Sequence, residues 1–118
     1  MELSNAIAGL SALAHDGRLA VFRLLIKAGP DGLAAGEIAR RTGTAANTLS
    51  AQLLLLSHAG LVRARRDGRS IVYAVDFERM SALLLFLTQD CCGGKPEICA
   101  PLAQTVNACC PPQKRARR

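Results

Sequence analysis

Apolar residues recur at every third or fourth position near the start of the chain, which is the spacing of an amphipathic α-helix. The first such run consists of Leu3, Ile7, Leu10, Leu13 and Ala14. A second helix follows, and we predict that the Asp16 carboxylate caps it by accepting hydrogen bonds from free backbone N–H groups. The residues expected to face inward on this helix are Leu19, Phe22, Leu25 and Ile26. Gly29 and Pro30 then end it.

The next two apolar stretches are shorter and closely spaced. A helix over residues 34–41 is anchored by Ile38, and a second helix over residues 45–59 buries Leu49, Leu53 and Leu56. Between them, Gly43 can take the left-handed conformation that a tight connection requires. Two short helices joined by a glycine-containing turn predict a helix-turn-helix.

A change from helical to alternating periodicity follows Gly60. Residues 61–65 and 69–75 predict two strands, and Asp67-Gly68 between them is a dipeptide typical of tight hairpin turns. Asp76 can cap a last helix that carries Met80, Leu83, Leu84 and Leu87. The predicted fold is therefore mainly α with a two-stranded β wing, a winged helix-turn-helix, formed by residues 1–90.

Composition limits the classes of protein that this chain can be. It has 118 residues, enough for one domain with a modest core, and only 3% of them are aromatic, so aliphatic residues must fill that core. No run approaches the roughly 20 apolar residues that span a bilayer, and the first residues carry no basic segment typical of a signal peptide. We expect a cytoplasmic protein with no membrane partner, whose thiols stay reduced.

Polar and basic side chains occupy the positions from which this fold contacts double-stranded DNA. The amino-terminal residues of the second helix of the motif lie nearest the base edges, and arginines on a hairpin suit phosphates or a narrow minor groove. The candidate DNA-contacting residues are Thr44, Asn47, Thr48, Ser50, Gln52, Arg65, Arg66 and Arg69. The formal charge of +6 adds little to this argument, because four of the basic residues lie in the tail after residue 113.

Several short motifs carry a family resemblance over residues 3–90. They are the stretch from Ala14 to Leu19, Glu37-Ile38-Ala39, Leu49-Ser50 and Ala59-Gly60-Leu61-Val62. In this combination the chain resembles the ArsR/SmtB family of winged-helix repressors. The resemblance implies a homodimer joined through the first and last helices, binding to a nearly palindromic operator, and release when a metal or metalloid binds. The apolar run from Leu83 to Leu87 surrounds most of a helix and independently favours a dimer.

Two inducer sites known in that family have no counterpart in this chain. The segment before the helix-turn-helix, residues 33–36, holds no thiol, and residues 80–87 of the last helix hold neither histidine nor paired carboxylates. An inducer site, if there is one, must therefore lie elsewhere. The residues that remain for such a site are 91–118, which we expect to be a separate cysteine-rich segment with a basic tail.

All five cysteines lie in that segment. Cys91, Cys92 and Cys99 flank a glycine-rich loop, and three converging thiolates suit a pyramidal ion such as trivalent arsenic or antimony. Zinc would favour a closed tetrahedral set with histidines or Cys-x-x-Cys spacing, but His15 and His58 lie far upstream and no Cys-x-x-Cys occurs. Cys109 and Cys110 form a second pair, which could complete the site across a dimer, bind a methylated arsenical or have no essential role.

Two other functions remain open at this stage. The same thiols could form a disulfide switch in a redox-sensing repressor, with Cys99 bridged to Cys91 or Cys92 because a bridge between adjacent cysteines is strained. The winged domain could also be a scaffold for a thiol enzyme or a metalloid carrier. We do not expect an enzyme, since no activating histidine or phosphate-binding loop lies near the thiols in the sequence.

Overall fold

The computed structural model describes residues 1–89 and the helical positions 97, 100, 101 and 104. By its internal contacts the chain divides into two units, Met1–Phe86 and Leu87–Arg118. The described fold is that of the first unit, together with the end of the last helix, which continues beyond Phe86. The domain boundary expected after residue 90 stays a prediction.

Within residues 1–89, five α-helices and three strands follow one another as two helices, a strand, two helices, two strands and a last helix. The helices are α1 (Leu3–Leu13), α2 (Asp16–Ala28), α3 (Ala35–Thr42), α4 (Ala46–His58) and α5 (Phe77–Thr88). The strands are β1 (Leu33–Ala34), β2 (Val62–Asp67) and β3 (Ser70–Val75). Each predicted helix is present, and the bounds differ from the prediction by a few residues at most.

The wing contains one strand more than predicted. β2 and β3 form the expected antiparallel hairpin, and β1 pairs with the other edge of β3 through Leu33 opposite Tyr73. A two-residue strand carries no periodicity signal, so the sequence could not reveal β1. Through this pairing, β1 connects strand β3 of the wing to the segment that leads into α3.

Aliphatic side chains from every helix meet in one core. The most completely buried large residues are Val21, Leu25, Ile38, Leu49, Leu53, Leu56 and Leu61. Phe22 is the one aromatic residue among the buried residues of the described chain, at 5% exposure. This confirms the expectation of an aliphatic core, and it fixes α4 between α1, α2 and the sheet.

The connection between α3 and α4 has the predicted geometry. Gly43 has a φ of 68° and ends α3 in the left-handed conformation, where a side chain would be strained. Its backbone N–H donates to the Ala39 carbonyl, which satisfies one of the free carbonyls at the end of α3. The turn therefore sets the angle at which α4 leaves the motif.

The hairpin turn lies one residue later than predicted. Asp67 pairs with Ser70, so the two residues of the loop are Gly68 and Arg69 rather than Asp67 and Gly68. Gly68 takes a φ of 64°, and glycine at the first loop position is typical of a tight hairpin turn. The position of the turn depends on the pairing register of β2 with β3, and a dipeptide motif carries no information on that register.

His15, and not Asp16, occupies the capping position of α2. The His15 Nδ1 atom accepts from the Gly17 N–H at 3.1 Å and from the Arg18 N–H at 3.4 Å. Asp16 is the first residue of the helix, and its carboxylate also accepts from the Gly17 N–H. The imidazole Nδ1 atom accepts these hydrogen bonds as a capping oxygen would, so the prediction that Asp16 is the cap was wrong by one residue.

Large apolar side chains on α1 and α5 face away from this core. On α1 the small residues Ala6, Gly9 and Ala12 are buried, whereas Leu3 and Ile7 are 63% and 57% exposed. On α5 the buried residue is Leu83, and Leu84 and Leu85 are 52% and 69% exposed. Both helices therefore expose large apolar side chains of the kind that a single folded chain seldom leaves in water.

Candidate nucleic-acid interface

The amino-terminal half of α4 presents a row of small polar side chains. Asn47, Thr48 and Ser50 are exposed, while Leu49 points the opposite way into the core. Thr44, in the preceding turn, is partly buried, and its hydroxyl lies 2.8 Å from that of Thr42. The helix thus offers amide and hydroxyl groups, which can hydrogen-bond to base edges or phosphates.

The amino end of α4 has no side-chain cap among the described residues. Ala45 holds the capping position, and its methyl group accepts no hydrogen bond; of the first-turn N–H groups, that of Thr48 donates to Oδ1 of Asn47 at 2.9 Å. Helix amino ends with free N–H groups attract anions, and phosphates of DNA are among those they bind. The end of α4 is therefore suited to contact a phosphate next to the groove that its side chains would read.

Gln52 is placed differently from the other candidates on α4. It is 9% exposed, its Oε1 atom has no hydrogen-bond partner among the described residues, and it packs against the first turn of α2. A Cβ atom at Gly17 would come too close to its Nε2 atom, so a larger residue there would require the end of the Gln52 side chain to shift. The prediction that Gln52 contacts DNA does not fit this burial, and we leave it out of the interface.

The three arginines predicted at the wing tip are all exposed. Arg66 and Arg69 make no hydrogen bond or ion pair within the described part of the chain, whereas Arg65 donates to the Asp31 carbonyl at 3.3 Å. Guanidinium groups without a protein partner are available to bind phosphate. The wing therefore presents positive charge that is available to bind phosphate.

Arg63 at the base of the wing has a structural role instead. Its Nε atom lies 3.0 Å from Oδ2 of Asp76, whose Oδ1 accepts from the Arg79 N–H at the start of α5. Burial raises the pKa of the Asp76 carboxyl, but the hydrogen bonds from Arg79 and Arg63 outweigh it and lower the pKa overall. Asp76 is the predicted α5 cap, and it also joins that helix to the wing.

Sequence reasoning missed a charged cluster on α3. Glu37 accepts hydrogen bonds from both Arg40 and Arg41, on the last turn of the helix before the Gly43 turn. These bonds, with that from Arg40 foremost, lower the pKa of the Glu37 carboxyl to about 2. The spacing of three and four residues is the signal that could have predicted the ion pairs.

The predicted inducer site cannot be placed. Cys91, Cys92, Cys99, Cys109 and Cys110 all lie outside the described residues. Among the residues that are described, no group of three or more histidine, cysteine or acidic side chains could hold a metal ion.

No described helix is long and apolar enough to cross a membrane.

An uncapped helix with an exposed polar face, held by a turn against a shorter helix and flanked by an arginine-bearing hairpin, defines a winged helix-turn-helix domain. The family model described as a helix-turn-helix domain matches residues 13–65. The HTH-type transcriptional regulator YgaV of Escherichia coli (strain K12) is 33% identical over 88 residues, 75% of this chain and 87% of that protein. The chain belongs to the winged-helix HTH-type transcriptional regulators.

Solved structures agree with this assignment. The homodimeric winged helix-turn-helix DNA-binding domain of Mb0332 from Mycobacterium bovis, a possible ArsR-family regulator, is 33% identical, with a TM-score of 0.59 over 75% of this chain and 82% of that one. A possible transcriptional regulator for arsenical resistance is 25% identical, with a TM-score of 0.59 over 67% and 79% of the two chains. ArsR-family proteins are thus among the structural neighbours of this chain.

Proposed function

We propose that this protein is a homodimeric repressor that binds operator DNA and releases it when trivalent arsenic or antimony binds to its cysteines. The observations that carry the DNA-binding part are the exposed polar side chains at the amino end of α4 and the exposed arginines of the wing. Base contacts by Asn47, Thr48 and Ser50 would supply sequence specificity. Phosphate contacts by Arg65, Arg66 and Arg69 would supply most of the sequence-independent affinity.

The dimer follows from the exposed leucines and isoleucine of α1 and α5. An isologous contact between two copies would cover Leu3, Ile7 and Leu85 on each chain, all of which are more than half exposed in the single chain. The homodimeric state of the Mb0332 domain supports the same arrangement. Two copies would present two α4 helices, as a near-palindromic operator requires.

The inducer part of the proposal depends on the thiols that follow α5. Cys91, Cys92 and Cys99 would gather a pyramidal trivalent ion, and the arsenical-resistance neighbour makes arsenic the first candidate. Thiol ligation directly after α5 would act on the helix that contributes to the dimer surface and that Asp76 joins to the wing. A coupling of about 1–3 kcal/mol would weaken DNA binding roughly 5- to 150-fold.

A mobility-shift titration tests the proposal on DNA selected from a random duplex pool by the reduced protein. Arsenite should release the selected duplex from the wild type, and Cys92→Ser should keep DNA binding but lose the response. Cys109→Ser, the matched thiol loss outside the proposed set of three, should still respond. An arsenite response that persists in Cys92→Ser contradicts the ligand assignment.

A second arm of the same titration separates the redox alternative. Release by peroxide in the absence of metalloid, reversed by a reductant, would replace metalloid sensing with a disulfide switch on the same thiols. If the random pool yields no duplex that the protein binds in preference to unselected DNA, the repressor proposal itself fails.

A further inference from the structure

Glu37 gathers two arginines on the last turn of α3 with three hydrogen bonds. Arg40 donates to the carboxylate through Nε, at 3.1 Å, and through Nη2, and Arg41 donates through Nε at 2.7 Å. All three side chains reach the surface, with exposures of 70% for Arg40, 47% for Arg41 and 31% for Glu37. One carboxylate thus pairs with two guanidinium groups, and the cluster is exposed to solvent.

The ion pairs leave both guanidinium groups with unused donors. A guanidinium carries five N–H groups; Arg40 uses its Nε–H and one Nη2–H towards Glu37, and Arg41 uses its Nε–H alone. The remaining N–H groups can bind another oxyanion in the forked geometry that phosphate favours. Glu37 therefore orients the two arginines without saturating them.

The cluster lies next to the turn of the helix-turn-helix motif. Arg40 and Arg41 lie within one helical turn of the end of α3 at Thr42, and α4 begins at Ala46 just beyond the Gly43 turn. In a helix-turn-helix the second helix enters the major groove while the first crosses the backbone. Arginines at the junction of the two helices would therefore lie near the phosphates that border the groove.

We propose that Arg40 and Arg41 contact DNA phosphates at the edge of the groove that α4 reads, and that Glu37 is a counter-charge that holds the pair and limits its attraction for DNA of any sequence. This inference rests on the proposed DNA binding and adds to it a second basic surface besides the wing. Because the pKa of Glu37 is about 2, the counter-charge is present throughout the neutral range. A phosphate must then compete with Glu37 for the same two side chains.

The salt dependence of binding measures the two arginine contacts. The probe is a mixed-sequence duplex of about 30 base pairs, long enough for two half-sites one helical turn apart. Arg40→Gln and Arg41→Gln should each reduce the slope of log affinity against log salt by about 1 per protomer, or about 2 for the dimer. Arg23→Gln, which removes an exposed arginine of α2 without a hydrogen bond or ion pair in the described residues, should leave the slope unchanged.

The affinity of Glu37→Gln tests the counter-charge. Removing the carboxylate should tighten binding to the mixed-sequence duplex by about 3- to 10-fold at low salt, and the gain should shrink as salt rises. Glu78→Gln, an identical change on α5, should have little effect. Thermal melting of each variant establishes that it is folded.

Three results would overturn the inference. Unchanged slopes in both Arg40→Gln and Arg41→Gln remove the phosphate contacts, and weaker binding by Glu37→Gln removes the counter-charge. In either case the wild type still binds DNA, so the proposed function stands. If the wild type shows no salt-dependent binding to any duplex, the proposed function fails and takes this inference with it.

Discussion

The single side chain of Asp76 makes two structural contacts, one with α5 and one with the wing. Its carboxylate caps α5 through the Arg79 N–H and pairs with Arg63 on the wing, and its side chain is 17% exposed. Sequence position alone predicted the cap, because an aspartate before an apolar helical run is a common signal. The ion pair could not be predicted, since it joins residues whose proximity only the folded hairpin creates.

We expect Asp76→Asn to lower the free energy of unfolding by about 1 kcal/mol at neutral pH, because the amide keeps the shape of the cap but loses the charge. The native pKa of Asp76 is below its usual value of 3.8. The ionised group therefore stabilises the native state above that value, and this contribution disappears as the pH falls through the lowered native pKa.

Urea unfolding of the wild type and Asp76→Asn at pH 7 and at stepwise lower pH checks this expectation. The difference between them should be largest at neutral pH and should close in strong acid. Asp67→Asn is the matched control at the wing tip, where the carboxylate is exposed and should contribute little. A difference that grows in acid would contradict the assignment.

Gln52 and Asn47 show where residue types stop being informative. Both are amides on α4 and both suit base recognition, yet one is buried against Gly17 and the other is exposed. Position 52 lies between the buried Leu49 and Leu53 on the helix surface, so helical periodicity, applied strictly, favours an inward orientation. At this position helical periodicity predicts the orientation of the side chain better than its chemistry does.

At the scale of elements, helices were predicted better than the wing. The long apolar runs of α2 and α4 have a period that only a helix satisfies, so their existence and approximate bounds followed from the sequence. The hairpin register and the β1 strand depend on pairing between distant segments. Local signals such as Asp67-Gly68 cannot fix that pairing.

The α4 helix makes its own prediction. Asn47→Ala should weaken binding to the selected operator by about 1–3 kcal/mol, because a base contact is lost. It should leave binding to mixed-sequence DNA nearly unchanged, since alanine favours the helix and no phosphate contact is removed. Fluorescence anisotropy with the two duplexes measures the ratio, and an equal loss on both would mean that Asn47 does not read bases.

At the scale of the whole molecule, the apolar pattern of α1 was predicted, but its partner was not determined by the pattern. Leu3 and Ile7 recur at helical spacing, yet within one chain they remain exposed while Ala6 and Gly9 face the core. Periodicity identifies an apolar face without saying whether it packs within the chain or against another. The expectation of a dimer came from the family resemblance and from the leucines of the last helix.

Ile7→Glu should therefore produce monomers at concentrations where the wild type is dimeric, because it would place two carboxylates in one isologous contact. Leu19, expected to face inward on α2, is instead 42% exposed, and Leu19→Glu should remain dimeric. Sedimentation velocity distinguishes the two states, and far-ultraviolet circular dichroism confirms that each variant keeps its helices. A dimeric, folded Ile7→Glu would place the contact elsewhere.

The most direct test of the account is a hydroxyl-radical footprint of the reduced protein on its selected operator. Two copies that each insert α4 into the major groove should protect two half-sites whose centres are about 10–10.5 base pairs, or a multiple of that spacing, apart on one face of the duplex. Protection should be flanked by contacts from the wings. A single protected half-site, or protection without helical phasing, would contradict a dimeric winged-helix repressor.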